Sequence, residues 1–392
     1  MKQKLLFLCS LILVLSFSAN AQTTTSKIKG TVTDTSGEAL FGATITVLHL
    51  PTGTLSGITA QENGRFTVLN LRVGGPYKVT FSYLGFKEQM VENVFLTLGK
   101  TTNLDAQMTE EGQALDEIII SSSKNKTFNS DRTGAQTSIS STQLKALPTI
   151  SRSTSDFTRL EPSASGGSFG GRNDQFNNFS LDGSIFTNPF GLDAATPGGQ
   201  TNSQPVSLDA IEQVSVSIAP YDVTQSGFTG ASINAVTKSG TNEFKGTVYG
   251  FYRNENLTGG KIKGEDVFKP SLSQNQYGVS IGGPIIKNKL FFFANFEKDE
   301  VTELGSSFIP NTGSGAINES RVLESDLKLV SNILSQVSIG NGEFYNTGDY
   351  QGFTYGASST KGLFKLDYNI NENHRMSLIY NFLRASKEKP AH

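Results

Sequence analysis

Few residues in this chain have the type and spacing to do chemistry. Gly166-Gly167-Ser168-Phe169-Gly170 has the G-x-S-x-G spacing that presents a nucleophilic serine on a sharp turn, as ester hydrolysis requires. That turn needs a strand before it and a helix after it. Glu161 to Ser165 is no apolar strand, and Arg172 to Asn178 has no clear helical pattern. A proton acceptor would have to be His374, at an expected hairpin end, or His392, at the terminus, so catalysis is not expected. The three histidines, His49, His374 and His392, lack metal-ligand spacing and read as surface or strand-end residues. The Gly-rich runs lack the Lys-Ser/Thr of a phosphate loop. Phe291-Phe292-Phe293, beside a short turn, reads as part of an interfacial aromatic girdle rather than a stacking platform for a ligand. No enzyme activity, metal or cofactor is expected, and a formal net charge of -2 offers no basic excess for nucleic acid.

The elements that would carry these residues begin with an export signal. Lys2 and Lys4 precede the apolar run Leu5 to Phe17, and Ala19-Asn20-Ala21 is a small-x-small cleavage site, so residues 1–21 are expected to be removed. The run is shorter than the ~20 residues a spanning helix needs. The only cysteine, Cys9, lies inside it, which leaves the mature chain without a disulfide or thiolate metal site. No later stretch is apolar enough for a transmembrane helix, so a membrane form would have to be a closed β-barrel.

From Lys27 to Met108 the pattern has period two. Tyr77, Val79, Phe81 and Tyr83 alternate with Lys78, Thr80 and Ser82, and turn signals fall at Ser36-Gly37, Thr52-Gly53, Asn63-Gly64 and Gly74-Gly75-Pro76. This is sandwich spacing. Gly30-Thr31-Val32-Thr33-Asp34, Ala39 to Ile45, Asn63-Gly64-Arg65-Phe66 and Phe81 to Phe86 resemble the carboxypeptidase-regulatory-like domain that precedes many Bacteroidetes outer-membrane receptors. The resemblance implies a seven-stranded sandwich over residues 22–110 with no active site of its own.

Residues 111–126 carry Leu115-Asp116-Glu117-Ile118-Ile119-Ile120 with polar flanks. Three consecutive β-branched residues favour an extended chain, which can add as a strand to a partner's sheet edge. The peptide resembles the box that binds the energy-coupling protein TonB; the other reading is an ordinary strand of a neighbouring domain. Residues 127–240 are rich in Ser, Gly and Asn, with one expected helix around Thr142 to Leu147 and too few apolar residues for a large core of their own.

Three stretches of that segment resemble the plug of TonB-dependent receptors. They are Ser180-Leu181-Asp182-Gly183, Leu208 to Val216 with Glu212, and Gly230 to Gly240 with Asn234, Thr237 and Lys238. Gly170 to Phe179, with Arg172, Asn173 and Asp174, further resembles the Oar-like branch. Asn173, Asp174, Gln175, Phe186, Asn188 and Phe190 face either a ligand or the barrel wall, and the sequence leaves that open.

Period two returns in longer segments after Gly240. Phe364, Leu366, Tyr368 and Ile370 alternate with Lys365, Asp367 and Asn369, and Met376, Leu378, Tyr380 and Phe382 alternate with Arg375, Ser377 and Asn381. Strands are expected near Phe244–Arg253, Gln276–Ile286, Lys289–Asp299, Lys361–Ile370 and His374–Arg384. Their connections run long, short, long, short, as in outer-membrane barrels entered from the periplasm. Residues 241–392 are therefore expected to begin a transmembrane β-barrel. A barrel that holds a plug needs on the order of 22 strands, which marks His392 as an expected truncation point.

The fold class expected is thus mainly β: a sandwich, a small α+β plug, and an incomplete antiparallel barrel. The function implied by the resemblance is uptake of a large or scarce extracellular substrate through the bacterial outer membrane, energised through TonB. The partners implied are TonB and outer-membrane lipid; a lipoprotein lid is left open, as is the alternative of a structural or adhesive barrel without transport.

Overall fold

Two-residue periodicity places one side chain in two on each face of an extended strand, so each amphipathic run must find a second sheet or another solvent for its apolar face. Three β-sheet bodies solve this in different ways. The computed structural model describes residues 24–111, 136–146, 149, 152–153, 155–187, 196–218, 227–316, 318–372 and 374–389.

The first body buries its apolar faces against each other. Its strands are β1 (Ser26–Thr33), β2 (Thr44–His49), β3 (Thr54–Thr59), β4 (Arg65–Leu71), β5 (Gly74–Ser82), β6 (Gln89–Leu96), β7 (Thr101–Asn103) and β8 (Ala106–Gln107). One sheet runs β3-β2-β5-β6; in the other, β1 pairs with β4 on one edge and, in parallel, with β7 and β8. β7 and β8 follow one strand line on β1, separated by Leu104 and Asp105. Of the alternating residues read from the sequence, Tyr77, Val79 and Phe81 lie in the shared core with Ile28 and Val32 of β1, and Tyr83 packs against it.

His49, expected at the surface or a strand end, closes β2 and is buried. Its Nδ1 hydrogen bonds Thr52 Oγ1 at 2.6 Å, and its ring lies 4.6 Å from that of Tyr77. Burial disfavours the charged imidazolium, the Arg72 and Arg375 guanidiniums add to this, and the pKa falls to about 3.

The second body is a mixed sheet, with β9 (Gln136–Ser140), a helix at Ser141–Ala146 and a short one at Ser155–Thr158. β10 (Ala164–Ser165) and β11 (Ser168–Phe169) form a hairpin, followed by β12 (Asn178–Leu181), β13 (Ser184–Ile185), β14 (Ile211–Ser217) and β15 (Ser232–Thr237). The sheet order is β13-β12-β15-β14-β9, with β12 parallel to β15. Both β14 and β15 are buried along nearly their whole length. Ser168 sits in the β10–β11 hairpin, followed only by the three-residue 3-10 turn Asp174–Phe176, so its surroundings are not the strand-turn-helix of a nucleophile elbow.

The third body is an antiparallel meander. β16 (Lys245–Asn254) leads through a small hairpin, β17 (Lys261–Ile262) and β18 (Glu265–Asp266), to β19 (Leu272–Ile286) and β20 (Leu290–Leu304). The long connection 305–353 holds β21 (Ile309–Asn311), β22 (Glu319–Leu323), a helix at Glu324–Leu334 and the hairpin β23 (Ser338–Gly340) with β24 (Glu343–Phe344). The helix was not expected from the sequence. β25 (Thr354–Asn369) and β26 (Arg375–Lys387) complete the order β16-β19-β20-β25-β26. Short connections at 287–289 and 370–374 alternate with the long ones, as the sequence implied.

Burial in the meander is the reverse of that in a water-soluble protein. On β25, Lys361, Lys365, Asp367 and Asn369 are buried while Phe364, and Ile370 just after the strand, are exposed; on β26, Met376, Leu378, Tyr380 and Phe382 are exposed. The outward face of β20 is apolar at Phe292, Ala294 and Phe296 and becomes polar at Lys298, Glu300 and Thr302 towards the long connections.

The reading of Phe291-Phe292-Phe293 as one girdle is corrected by this alternation. Phe291 and Phe293 point inward and are buried; Phe292 alone points outward, where its ring pairs with Phe244 at 6.2 Å. Outward glycines of neighbouring strands are roofed by rings, Gly283 by Phe244 and Gly362 by Phe382.

The His49 site gives a pH dependence with a definite sign. The unfolded imidazole takes up a proton below its ordinary pKa of 6.5 and the folded one only near 3. Its contribution to stability is therefore complete above pH 6.5 and is lost progressively as pH falls towards 3. Amide exchange of Thr44–His49, corrected for intrinsic rate, is expected to accelerate between pH 7 and pH 4.5, and less so in His49→Gln.

Candidate functional site

The second body cannot close its own core. Phe293 of β20 and Leu363 of β25 enter the cluster formed by Ile139, Phe169, Phe179, Leu181 and the residues of β14 and β15. The inner wall of the meander is therefore one side of the second body's core. Gly240 marks how close the two come: a Cβ there would strike the Phe292 carbonyl oxygen and lie 2.7 Å from that of Gly283.

Two buried polar clusters fasten this contact. Asp182 and Gly183 form a left-handed turn after β12, with φ of 48° and 86°. The turn aims the Asp182 carboxylate at the end of β15. Asp182 Oδ1 accepts from Thr237 N at 3.0 Å, and Oδ2 accepts from Thr237 Oγ1 at 2.6 Å. Lys365 reaches in from β25: its Nζ lies 3.4 Å from Asp182 Oδ1 and donates to Thr237 O and Oγ1 at 3.2 Å.

Roughly 13 Å further along β25, at four residues' rise, Lys361 Nζ meets Glu297 Oε1 of β20 at 2.7 Å. Glu297 Oε2 accepts from Tyr249 OH of β16 at 2.6 Å and from Ser207 Oγ of the second body at 2.7 Å. Glu297 and Lys361 are at most 5% exposed, so the desolvation cost of each charge is offset only by this complete set of partners.

On the side of the long connections, the second body and the wall enclose a cavity of about 430 Å³. Arg152, Asp174, Arg253, Gln276, Asp299 and Glu303 are among its lining residues. The Arg152 guanidinium stacks on Phe251, 3.9 Å from the ring centroid. Nε of both Arg152 and Arg253 is buried with no hydrogen-bond partner among the described residues. The cavity thus offers fixed donors beside carboxylates, chemistry that suits a polar or zwitterionic solute.

Of the residues singled out by sequence, the structure brings Asp182, Gly183, Thr237 and Lys238 to one end of the second body. Lys238 pairs with Asp209 at 3.3 Å, and Asn234 accepts from Ser180 Oγ at 3.0 Å. Asn173 caps the short 3-10 turn Asp174–Phe176 by accepting from Gln175 N at 3.1 Å, and Arg172 is exposed on a tight turn with Phe169. Glu212 lies at the same end, at the irregularity of β14 opposite the end of β15, with its carboxylate beside Gly74 of the first body.

Phe186 packs on the second core, whereas Asn188, Phe190 and the box Leu115, Asp116, Glu117, Ile118, Ile119 and Ile120 lie outside the described residues. Lys365, Lys361, Glu297, Tyr249 and Ser207 were not singled out as site residues. The signal available in the sequence is charge at inward positions of a strand, which period two alone marks as polar without naming its partners.

Residues 236–315 match the outer membrane beta barrel domain, and residues 27–109 match the carboxypeptidase regulatory-like domain. Two segments of the chain thus match these two domains, and the chain is located in the bacterial outer membrane. It is a homologue of the TonB-dependent transporter Oar of Myxococcus xanthus, with 25% identity over 303 residues, 72% of this chain and 27% of that protein.

Two solved structures are similar in outline. The siderophore receptor PirA from Acinetobacter baumannii has 16% identity and TM-score 0.40, over 64% of this chain and 32% of that one. The outer membrane transporter YddB from Escherichia coli has 14% identity and TM-score 0.44, over 64% and 33%. The chain thus spans about a quarter of the curated relative and a third of these receptors.

The Glu297 cluster makes a quantitative prediction. Lys361→Met alone leaves a buried carboxylate without its cation and is expected to cost roughly 3–5 kcal/mol, whereas adding Glu297→Gln recovers much of the loss. Unfolding of the full-length protein in detergent micelles, followed by denaturant midpoint, checks this.

Proposed function

We propose that the chain carries the entry and energy-coupling parts of a TonB-dependent transporter. In this reading residues 127–240 are the plug, 241–392 are the first staves of the barrel that surrounds it, and 111–126 are the tether. Leu115 to Ile120 on the tether offers a strand to TonB across the periplasm. TonB, driven by the inner-membrane proton gradient, pulls on it, and the plug shifts to open a path for a solute captured from outside.

The observation that carries this reading is the seat of the second body. It packs on the inner wall through Lys365–Asp182–Thr237 and through Ser207–Glu297–Lys361. Polar bonds of this kind are exchangeable for bonds to water when a wetted lumen opens, whereas a continuous apolar seam is not. A body that must be held closed at rest and then moved is best fastened in this way. The cavity lined by Arg152, Arg253 and Asp299 lies on the extracellular side of that seat, where a solute would arrive before the path opens.

Two outcomes are expected. Deleting Leu115 to Ile120 in the full-length protein abolishes gene-dependent growth on the transported solute, identified by growing a deletion strain on candidate iron chelates, peptides and glycans. The same deletion leaves the heat-dependent gel mobility of the inserted barrel unchanged; undiminished growth would refute the assignment. Phe364→Arg, which puts a charge on the outward face, costs roughly 2–4 kcal/mol if the residue lies near the bilayer midplane. Lys365→Arg, on the inward face, is expected to cost much less, both read as the temperature at which that mobility changes.

A further inference from the structure

The N-terminal sandwich touches both other bodies at the end of the meander that bears its short connections. On the second body, Gln213 Oε1 accepts from Leu98 N at 2.8 Å, and Gln213 Nε2 donates to Leu96 O at 3.0 Å. On the meander, Arg375 donates to Asn70 O at 3.2 Å and to Ser56 Oγ at 3.0 Å. Asn369 donates to Thr54 Oγ1 at 3.0 Å, and Asn242 N, just before β16, donates to Pro51 O at 2.8 Å.

These contacts differ in kind from the core of either body. They are polar, and several are unfinished. Arg72 Nη1 and Asp367 Oδ2 stand 3.6 Å apart, an ion pair too long for a hydrogen bond, and both atoms are buried without a hydrogen-bond partner among the described residues. Asn369 Oδ1 is in the same position. Each such atom would gain water on separation, so the seam is held with little to spare. Behind it lies a cavity of about 970 Å³ shared by all three bodies, with Arg72, Asp182, Glu212, Lys365, Asp367 and Arg375 on its walls. A solute released past the second body enters this chamber and finds the sandwich across its far side.

We propose that the sandwich is a second closure, a door seated on the periplasmic rim by Arg375, Asn369 and Arg72, which leaves its seat when a solute passes. Seating stands on the contacts alone; unseating rests on the transport reading above. The polar, under-satisfied seam sets the resting position and lets it be left without unfolding either partner.

The test is cross-linking in cells that carry the full-length protein. Cys9 is the only cysteine in residues 1–392; with any cysteine elsewhere in the full-length protein replaced by serine, Thr54→Cys with Asn369→Cys reports on the seam. Ser358→Cys with Ser386→Cys, whose hydroxyls lie 3.0 Å apart on neighbouring strands, is the fixed reference. A short bis-maleimide is expected to join the seam pair in most molecules when a protonophore collapses the gradient. In cells growing on peptone medium the joined fraction should fall at least about threefold, a population shift away from the seated state. The reference pair stays constant.

Arg375→Ala is expected to lower seam cross-linking in both conditions, and no change there would overturn its role as anchor. No cross-link without the gradient overturns the seating and leaves the transport reading untouched. Equal cross-linking in both conditions makes the sandwich a fixed brace and overturns the door, while the box deletion still judges transport separately.

Discussion

A backbone in hydrocarbon has no water to bond, so every N–H and C=O of a spanning strand must find a partner in the next strand. From this constraint the rest of the molecule follows. It forces the meander β16-β19-β20-β25-β26 into continuous antiparallel register, which leaves side-chain identity as the only means of distinguishing the two faces. Apolar groups go to the lipid, and the charges that such strands still carry are turned inward. Lys361, Lys365, Glu297 and Asp367 are thereby gathered on one concave wall where they need partners. The second body supplies them with Ser207, Asp182 and Thr237, and the sandwich supplies Arg72.

That dependence runs both ways. The second body has both faces of β14 and β15 buried yet needs Phe293 and Leu363 from the wall to complete its core. A Ser-, Gly- and Asn-rich segment of this kind would be marginal alone, because it has little apolar area to set against the entropy of ordering its loops. Inside the wall it gains apolar neighbours and charged ones at once. The division is useful, since the apolar contacts set its position and the polar ones can be exchanged for water.

Much of this was legible in the sequence because period two is a local property. The five long strands and the alternation of their connections could be read from Phe244 to Arg384, and so could the sandwich core at Tyr77, Val79 and Phe81. The helix at Ser141–Ala146 was found within a residue or so of its expected position. What was not legible depends on pairs distant in sequence. Glu297 and Lys361 look like two ordinary charges until β20 and β25 are laid side by side in register. His49 looks like a strand-end histidine until the Tyr77 ring, its hydroxyl held by the Arg72 carbonyl, is laid against it. The Phe291-Phe292-Phe293 run was misread because three adjacent rings suggest one surface, whereas a strand sends them to two. The helix at Glu324–Leu334 has its signal in the sequence, since Leu327, Val330, Ile333 and Leu334 recur at helical spacing, but the run lies inside an expected long connection and buries none of these residues.

The height of the strands has one more consequence. β19, β20 and β25 run 15 to 16 residues, whereas about 9–11 tilted residues cross the hydrocarbon. On β20 the outer side turns from Phe292, Ala294 and Phe296 to Lys298, Glu300 and Thr302, so the half towards the long connections stands beyond the apolar band. Asp299, Val301 and Glu303, the inner neighbours of those residues, line the smaller cavity. That cavity therefore stands level with the polar stretch of the wall, clear of its apolar band.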